Sequence, residues 1–220
     1  MGKHGLKALG LMFLAALCLT AFMASSASAN WRVAGAENTV NKEVLVSTHE
    51  VGTLLVPSLG LAISCPGIKG EDLLLLAKSS ETTGKLSFSE CTTKVNGVAN
   101  AKCNPINQPI KAGGKGHLVL IGTKNLVLFE QTNEATPFAT IEFGAECAVT
   151  ETNNVTGKLL AECLKGALVA ADCSEEEASH LLRQQTRTED ELKFGKRPAS
   201  IDGVAKVELA EKGKLFSGVI

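Results

Sequence analysis

Tyrosine is absent from this 220-residue chain and tryptophan occurs once, so aromatic residues make up only 4% of it. Carbohydrate platforms, aromatic cages and single-strand stacking surfaces depend on exposed rings, and this composition can scarcely supply them. An excess of charge is missing too: 22 basic and 23 acidic residues give a net charge of −1. Such a balance offers no electrostatic case for nucleic acid or an anionic membrane as partner. No C-x-x-C pair occurs among the cysteines, which argues against a zinc site and leaves no metal or other cofactor to expect. Nucleophile elbow, P-loop and dinucleotide fingerprint are all lacking. Beyond the N-terminal region no apolar run is long enough to span a bilayer.

That N-terminal region has the layout of an export signal. Lys3 and Lys7 form a basic start, Ala8 to Ala24 is mostly apolar, and Ala27-Ser28-Ala29 is a small-x-small cleavage site. Residues 1–29 are therefore expected to be removed, leaving 191 residues that begin at Asn30. Loss of the two lysines leaves 20 basic against 23 acidic residues. A chain of this length can enclose one sizeable core. Residues 30–42 are polar and turn-rich and read as a loose lead-in, with Trp31 plugging one end of the core. Residues 43–220 read as a single β-rich domain.

Within that domain short apolar runs alternate with Gly, Ser, Thr and Asn turns. In KLSFSEC, Leu86 and Phe88 face one way while Lys85, Ser87 and Ser89 face the other, the alternation of a sheet with one wet face. Asn96-Gly97, between TTKV and VANAKC, signals a tight hairpin because a type I′ turn needs positive φ at both central residues. A second hairpin joins HLVLIG to NLVLFEQ around Thr123-Lys124. Ala112 to Gly116 (AGGKG) reads as a flexible connection. Ser174 to Gln185 predicts the one helix: Ser174 and Glu177 form a capping box, and Ala178, Leu181 and Leu182 make an apolar stripe. The expected fold is thus all-β, an antiparallel sandwich or flattened barrel of many short strands with one short capped helix packed across it. Outer-membrane barrels carry aromatic girdles, which a chain without tyrosine does not match.

Six cysteines follow the signal: Cys65, Cys91, Cys103, Cys147, Cys163 and Cys173. An even number in an exported chain reads as a disulfide framework, which for six cysteines allows about 15 connectivities. An internal echo suggests one of them. Thr83-Gly84-Lys85-Leu86 precedes Cys91 and Thr156-Gly157-Lys158-Leu159 precedes Cys163, and each unit opens with a cysteine, Cys65 or Cys147. Equivalent bridges would then be Cys65–Cys91 and Cys147–Cys163, leaving Cys103–Cys173.

Candidate chemistry is sparse. His49-Glu50 begins like a zincin helix, but Thr53 stands where the second histidine belongs and the surroundings read as strand. Glu177 and His180 have the E-x-x-H spacing of di-iron bundles, which need two copies on facing helices. His49, His117 and His180 are far apart, and no spacing singles out a serine nucleophile. AGGKG could cradle an anion through its backbone N–H groups, but it precedes a strand and not a helix, which favours a plain linker. Asn154-Val155-Thr156 is a glycosylation acceptor pattern.

GLAISC, TGKLSFSECTTKVNG, FATIEFGAECAV, VTGKL and PASIDGVAKVEL together resemble a group of exported β-rich proteins of actinobacterial genomes. The resemblance spans most of the chain from about Glu43 onward and implies export and disulfides, with no assigned reaction, ligand or site residue. The expected function is a secreted, non-enzymatic binding or structural module of the cell surface or extracellular space. Two alternatives stand beside it. One is a secreted hydrolase with a site assembled from distant residues, whose mark would be a pocket holding histidine with a carboxylate or serine. The other is a carrier of a small apolar ligand, whose mark would be an enclosed apolar cavity.

Overall fold

The computed structural model describes residues 29–149, 151–165, 169–184 and 191–220. Except for Ala29, the expected export signal lies outside the described residues. The first strands are β1 Asn30–Val33, β2 Ala36–Glu37, β3 Lys42–Thr48, β4 Gly52–Val56, β5 Leu61–Cys65, β6 Gly67–Leu75 and β7 Glu81–Ser89. The middle of the chain forms β8 Thr92–Val95, β9 Val98–Ala99, β10 Ile110–Ile121, β11 Lys124–Glu130, β12 Ala139–Glu142, β13 Thr152–Thr156 and β14 Lys158–Lys165. The last are β15 Val169–Ala171, β16 Ser179–Gln184, β17 Lys193–Phe194, β18 Arg197–Pro198, β19 Ser200–Leu209 and β20 Phe216–Val219. The only helical elements among the described residues are two three-residue 3₁₀ turns.

Eight of these strands close on themselves. In chain order β3, β6, β7, β10, β11, β14, β16 and β19 each pair antiparallel with the next, and β19 returns to pair with β3. The result is an up-and-down barrel without a free edge, in which inward and outward positions alternate along every strand. Outward positions carry the charge. Lys111 pairs with Glu71, and Glu130 holds Lys115 at 3.2 Å and Lys158 at 3.8 Å. A membrane barrel shows lipid an apolar band; this outer face presents ion pairs. Among the described residues no helix is long and apolar enough to cross a membrane.

The remaining strands close the barrel's two ends. At one end β1, between β2 and β20, packs Trp31 and Phe216 against Val44, Leu75, Leu118 and Val207. At the other, β4, β5 and β8 continue from the first residues of β19, and the separate sheet β12-β13-β17-β18 packs beside them. A second core with Phe143, Phe194, Leu61 and Ile63 fills the space between those sheets.

Several expectations change here. Residues 30–42 contain two strands, β1 and β2, and Trp31 is buried. AGGKG is no linker: residues 112–116 lie inside β10, paired to β7 along their whole length. Its small residues are structural. A Cβ on Gly114 would come within 2.7 Å of the Glu130 carbonyl and 2.9 Å of the Phe138 ring, and one on Gly116 within 3.0 Å of the Phe129 ring. Two aromatic rings thus occupy the space that those positions leave open. The second hairpin turns at Gly122-Thr123, one residue earlier than expected, since Ile121 faces Lys124. Asn96 and Gly97 do take the positive φ values, 50° and 80°, that their hairpin requires.

The predicted helix is absent. Ser179–Gln184 is a strand that pairs with β14 on one side and β19 on the other. Without it the barrel would expose two open edges, so the ladder overrides the local helix signal. Ser174 caps nothing; its N–H donates to Asp172 Oδ1 in a turn. Residue 185, the last of the expected helix, lies outside the described residues.

The disulfides are Cys65–Cys91, Cys103–Cys147 and Cys163–Cys173. The first matches the echo; the other two correct it. Cys147 lies in the turn region after β12, within the same packed core as Cys103, whereas Cys163 faces inward on β14 beside β15 and the turn that holds Cys173. The TGKL segments therefore recur without a common bridge.

Candidate functional site: an apolar cavity inside the barrel

Inward alternation from eight strands brings apolar side chains together around a hollow. Between the two packed ends lies a cavity of about 220 Å³. Its wall includes Val46 of β3, Leu73 of β6, Leu86 and Phe88 of β7, Phe129 of β11 and Leu182 of β16. A bulge shapes one side. Asp72 adopts φ 51° and the β6–β7 register shifts between Glu71 and Leu74, which resets the alternation so that Leu73 and Leu75 join Ile68 on the wall. On the opposite side Leu182 lies in register with both Cys163 and Ala205, and all three line the cavity.

These wall residues differ from a packed core in one respect. Phe143 and Phe194 are 2% and 1% exposed, whereas Val46, Leu73, Leu86, Phe88, Phe129 and Leu182 are only half-buried although they point inward. Five of the seven aromatic residues after position 29, namely Trp31, Phe88, Phe129, Phe138 and Phe216, line the same space. The scarcity of rings excludes broad exposed platforms, but the few present are concentrated inside.

Polar groups are few on this wall. His180 is 5% exposed, with its Nε2 2.7 Å from the Phe216 carbonyl and its ring edge-on to the Phe216 ring at 4.5 Å between centroids. A carbonyl can only accept, so Nε2 carries the proton. Burial lowers the His180 pKa, against the raising effects of the Phe216 carbonyl and the Glu177 and Glu175 carboxylates, so the ring is neutral at pH 7. Asp172 anchors the turn beside this end. Burial pushes its pKa up, but hydrogen bonds from Ser174 and Asn125 outweigh it and hold the carboxyl below its ordinary value.

The three histidines among the described residues do not converge. His49 is exposed in the turn after β3, and His117 faces outward on β10, 3.9 Å from Glu130. Only His180 lines the cavity. Glu177 forms a bridge with Phe216 through its backbone and stands on no helix. Asn154 sits within β13, its Oδ1 accepting from Thr140. Among the described residues no group of three His, Cys, Asp or Glu side chains could hold a metal ion. The six cysteines among the described residues are all in disulfides.

Comparison of the chain with protein-family models, curated proteins and solved structures returned no match.

Proposed function

We propose that this protein binds one small apolar molecule inside its barrel, as a carrier or sequestering module outside the cell. The supporting observation is the half-buried apolar wall around the 220 Å³ cavity. Apolar surface left uncovered within a fold favours an occupant that removes it from water. Eight strands enclose an interior that either fills with its own side chains or holds one small ligand, and part of this one is left unfilled. For scale, an apolar cavity of about 150 Å³ accommodates benzene, so the occupant here is somewhat larger. Covering about 200 Å² of apolar surface yields roughly 5 kcal/mol, a Kd around 0.1–1 mM for a simple hydrocarbon.

Export, and membership of the actinobacterial group whose motifs the chain resembles, belong to the same proposal. Three disulfides support an oxidising compartment. Binding is favoured over hydrolysis because the histidine on the cavity wall is engaged by a backbone carbonyl.

Ethylbenzene is a suitable probe. Trp31 is the chain's one tryptophan and lines the cavity, so its emission reports occupancy without background. Titration is expected to shift that emission and raise the melting temperature, both saturably and with one site per chain. A flat response up to the solubility limit of ethylbenzene would overturn the proposal.

A further inference from the structure

The cavity is long for its volume, and strand register measures it. On one wall four successive inward pairs of β7 and β10 line it: Thr82 with Gly116, Gly84 with Gly114, Leu86 with Ala112 and Phe88 with Ile110. Across the ring, three successive pairs of β16 and β19 line it too: His180 with Val207, Leu182 with Ala205 and Gln184 with Gly203. Both walls thus face the hollow over consecutive rows. Trp31 and Phe216 bound it at one end, and Ile63 and Ile141 at the other.

Thr82 to Phe88 covers about 20 Å of strand at roughly 3.3 Å per residue, and with the strands tilted by about 40° that is about 15 Å along the barrel axis. Gathered into a sphere, 220 Å³ would span only about 7.5 Å, half that length. The hollow is therefore a channel along the axis.

An occupant that covers this wall must match its length. An extended hydrocarbon advances about 1.3 Å per carbon for bonds of about 1.5 Å, so about ten carbons with their end radii fill about 15 Å. Volume gives the same answer: on the scale of benzene in about 150 Å³, the channel takes about nine carbons. A branched or caged molecule with as many carbons is shorter and wider, and leaves apolar wall at the ends uncovered.

We infer that the natural ligand is a straight-chain aliphatic molecule of about nine or ten carbons, lying along the barrel axis between the Trp31–Phe216 end and the Ile63–Ile141 end. The inference rests on the cavity being a ligand site. It makes chain length and the lack of branching what the site selects.

Primary alcohols from n-hexanol to n-dodecanol test it on the unaltered protein, with Trp31 emission and melting temperature as readouts. Affinity is expected to rise about fourfold per added carbon and to stop rising between n-octanol and n-undecanol, where the chain outgrows the space. Adamantanol holds as many carbons as n-decanol in a compact cage. After allowance for its water–octanol partition, it should bind about tenfold more weakly than n-decanol, or weaker still. Decanoate run beside n-decanol distinguishes a fatty acid from a fatty alcohol as the source, and tight binding of either supports the chain. A rise that stops before n-octanol, a rise unbroken through n-dodecanol, or adamantanol matching n-decanol overturns the inference, as does ethylbenzene binding where no straight chain does. Failure of every alcohol, of decanoate and of ethylbenzene to bind would instead overturn the cavity as a ligand site, so the two failures are distinct.

Discussion

His180 is held against Phe216 of β20, and its chemistry follows from that. Its ring is wedged against Phe216 and its Nε2–H is spent on the Phe216 carbonyl. Burial disfavours the imidazolium and keeps the folded pKa below the ordinary value, while the carbonyl and the carboxylates of Glu177 and Glu175 pull the other way. The unfolded chain takes up the proton near pH 6.5, so between there and the lower folded value it binds more protons than the native state. Stability is then full above about pH 6.5 and declines as the pH falls toward the folded pKa. Urea-unfolding free energies measured from pH 8 to pH 5 should show this decline, and His180→Gln, which keeps a donor without titrating, should flatten it. An unchanged slope in that variant would show that other groups cause the decline. Gly114 is a second residue whose role is steric. A methyl there meets backbone at 2.7 Å and the Phe138 ring at 2.9 Å, and Gly114→Ala should cost about 1–3 kcal/mol in the same experiment.

Among the elements, those specified by local chemistry are the ones legible in the sequence. Asn96-Gly97 sets its own turn, and Leu86 and Phe88 set the inner face of β7 whatever lies around them. Where partners far along the chain decide, local signals mislead. The capping box at Ser174 and Glu177 is a sound helix start in isolation, but β14 and β19 each leave an edge that only residues 179–184 can satisfy. AGGKG resembles a linker because nothing nearby shows that Phe129 and Phe138 need the room. The echo between the TGKL segments also fails for that reason: bridge partners are set by which strands meet, and Cys147 meets Cys103. The corrected pairing has a thermodynamic consequence. The Cys103–Cys147 bridge spans 44 residues and Cys163–Cys173 only 10. Constraint of the unfolded chain grows with the logarithm of loop length, so removing the first pair by double alanine substitution should cost about 1 kcal/mol more than removing the second. Equal costs would indicate that native-state packing around the sulfurs, and not chain entropy, sets the difference.

For the whole molecule, alternation along a strand states which face is hidden and leaves open what it is hidden against. Two flat sheets pressed together and one sheet rolled into a barrel both satisfy the same pattern, and a hollow is a property of closure that no segment carries. The candidate site was legible only in its parts, a lone Trp31 marked as a core plug and a few phenylalanines, because its wall draws a few residues from each of eight strands. Ala205 tests whether that hollow is functional space. It lies in register with Leu182 and lines the cavity, so Ala205→Leu adds bulk where ligand would sit. A ligand present at about 100 times its Kd stabilises the native state by about 2.7 kcal/mol. If the leucine fills the same space, the melting temperature without ligand should hold or rise, affinity for ethylbenzene should fall about tenfold or more, and the ligand-induced gain should shrink with it. An undiminished gain would put the binding site elsewhere. A variant destabilised by about 1–3 kcal/mol would show the space already taken by the protein's own side chains, since a wall with room for a ligand has room for three more carbon atoms.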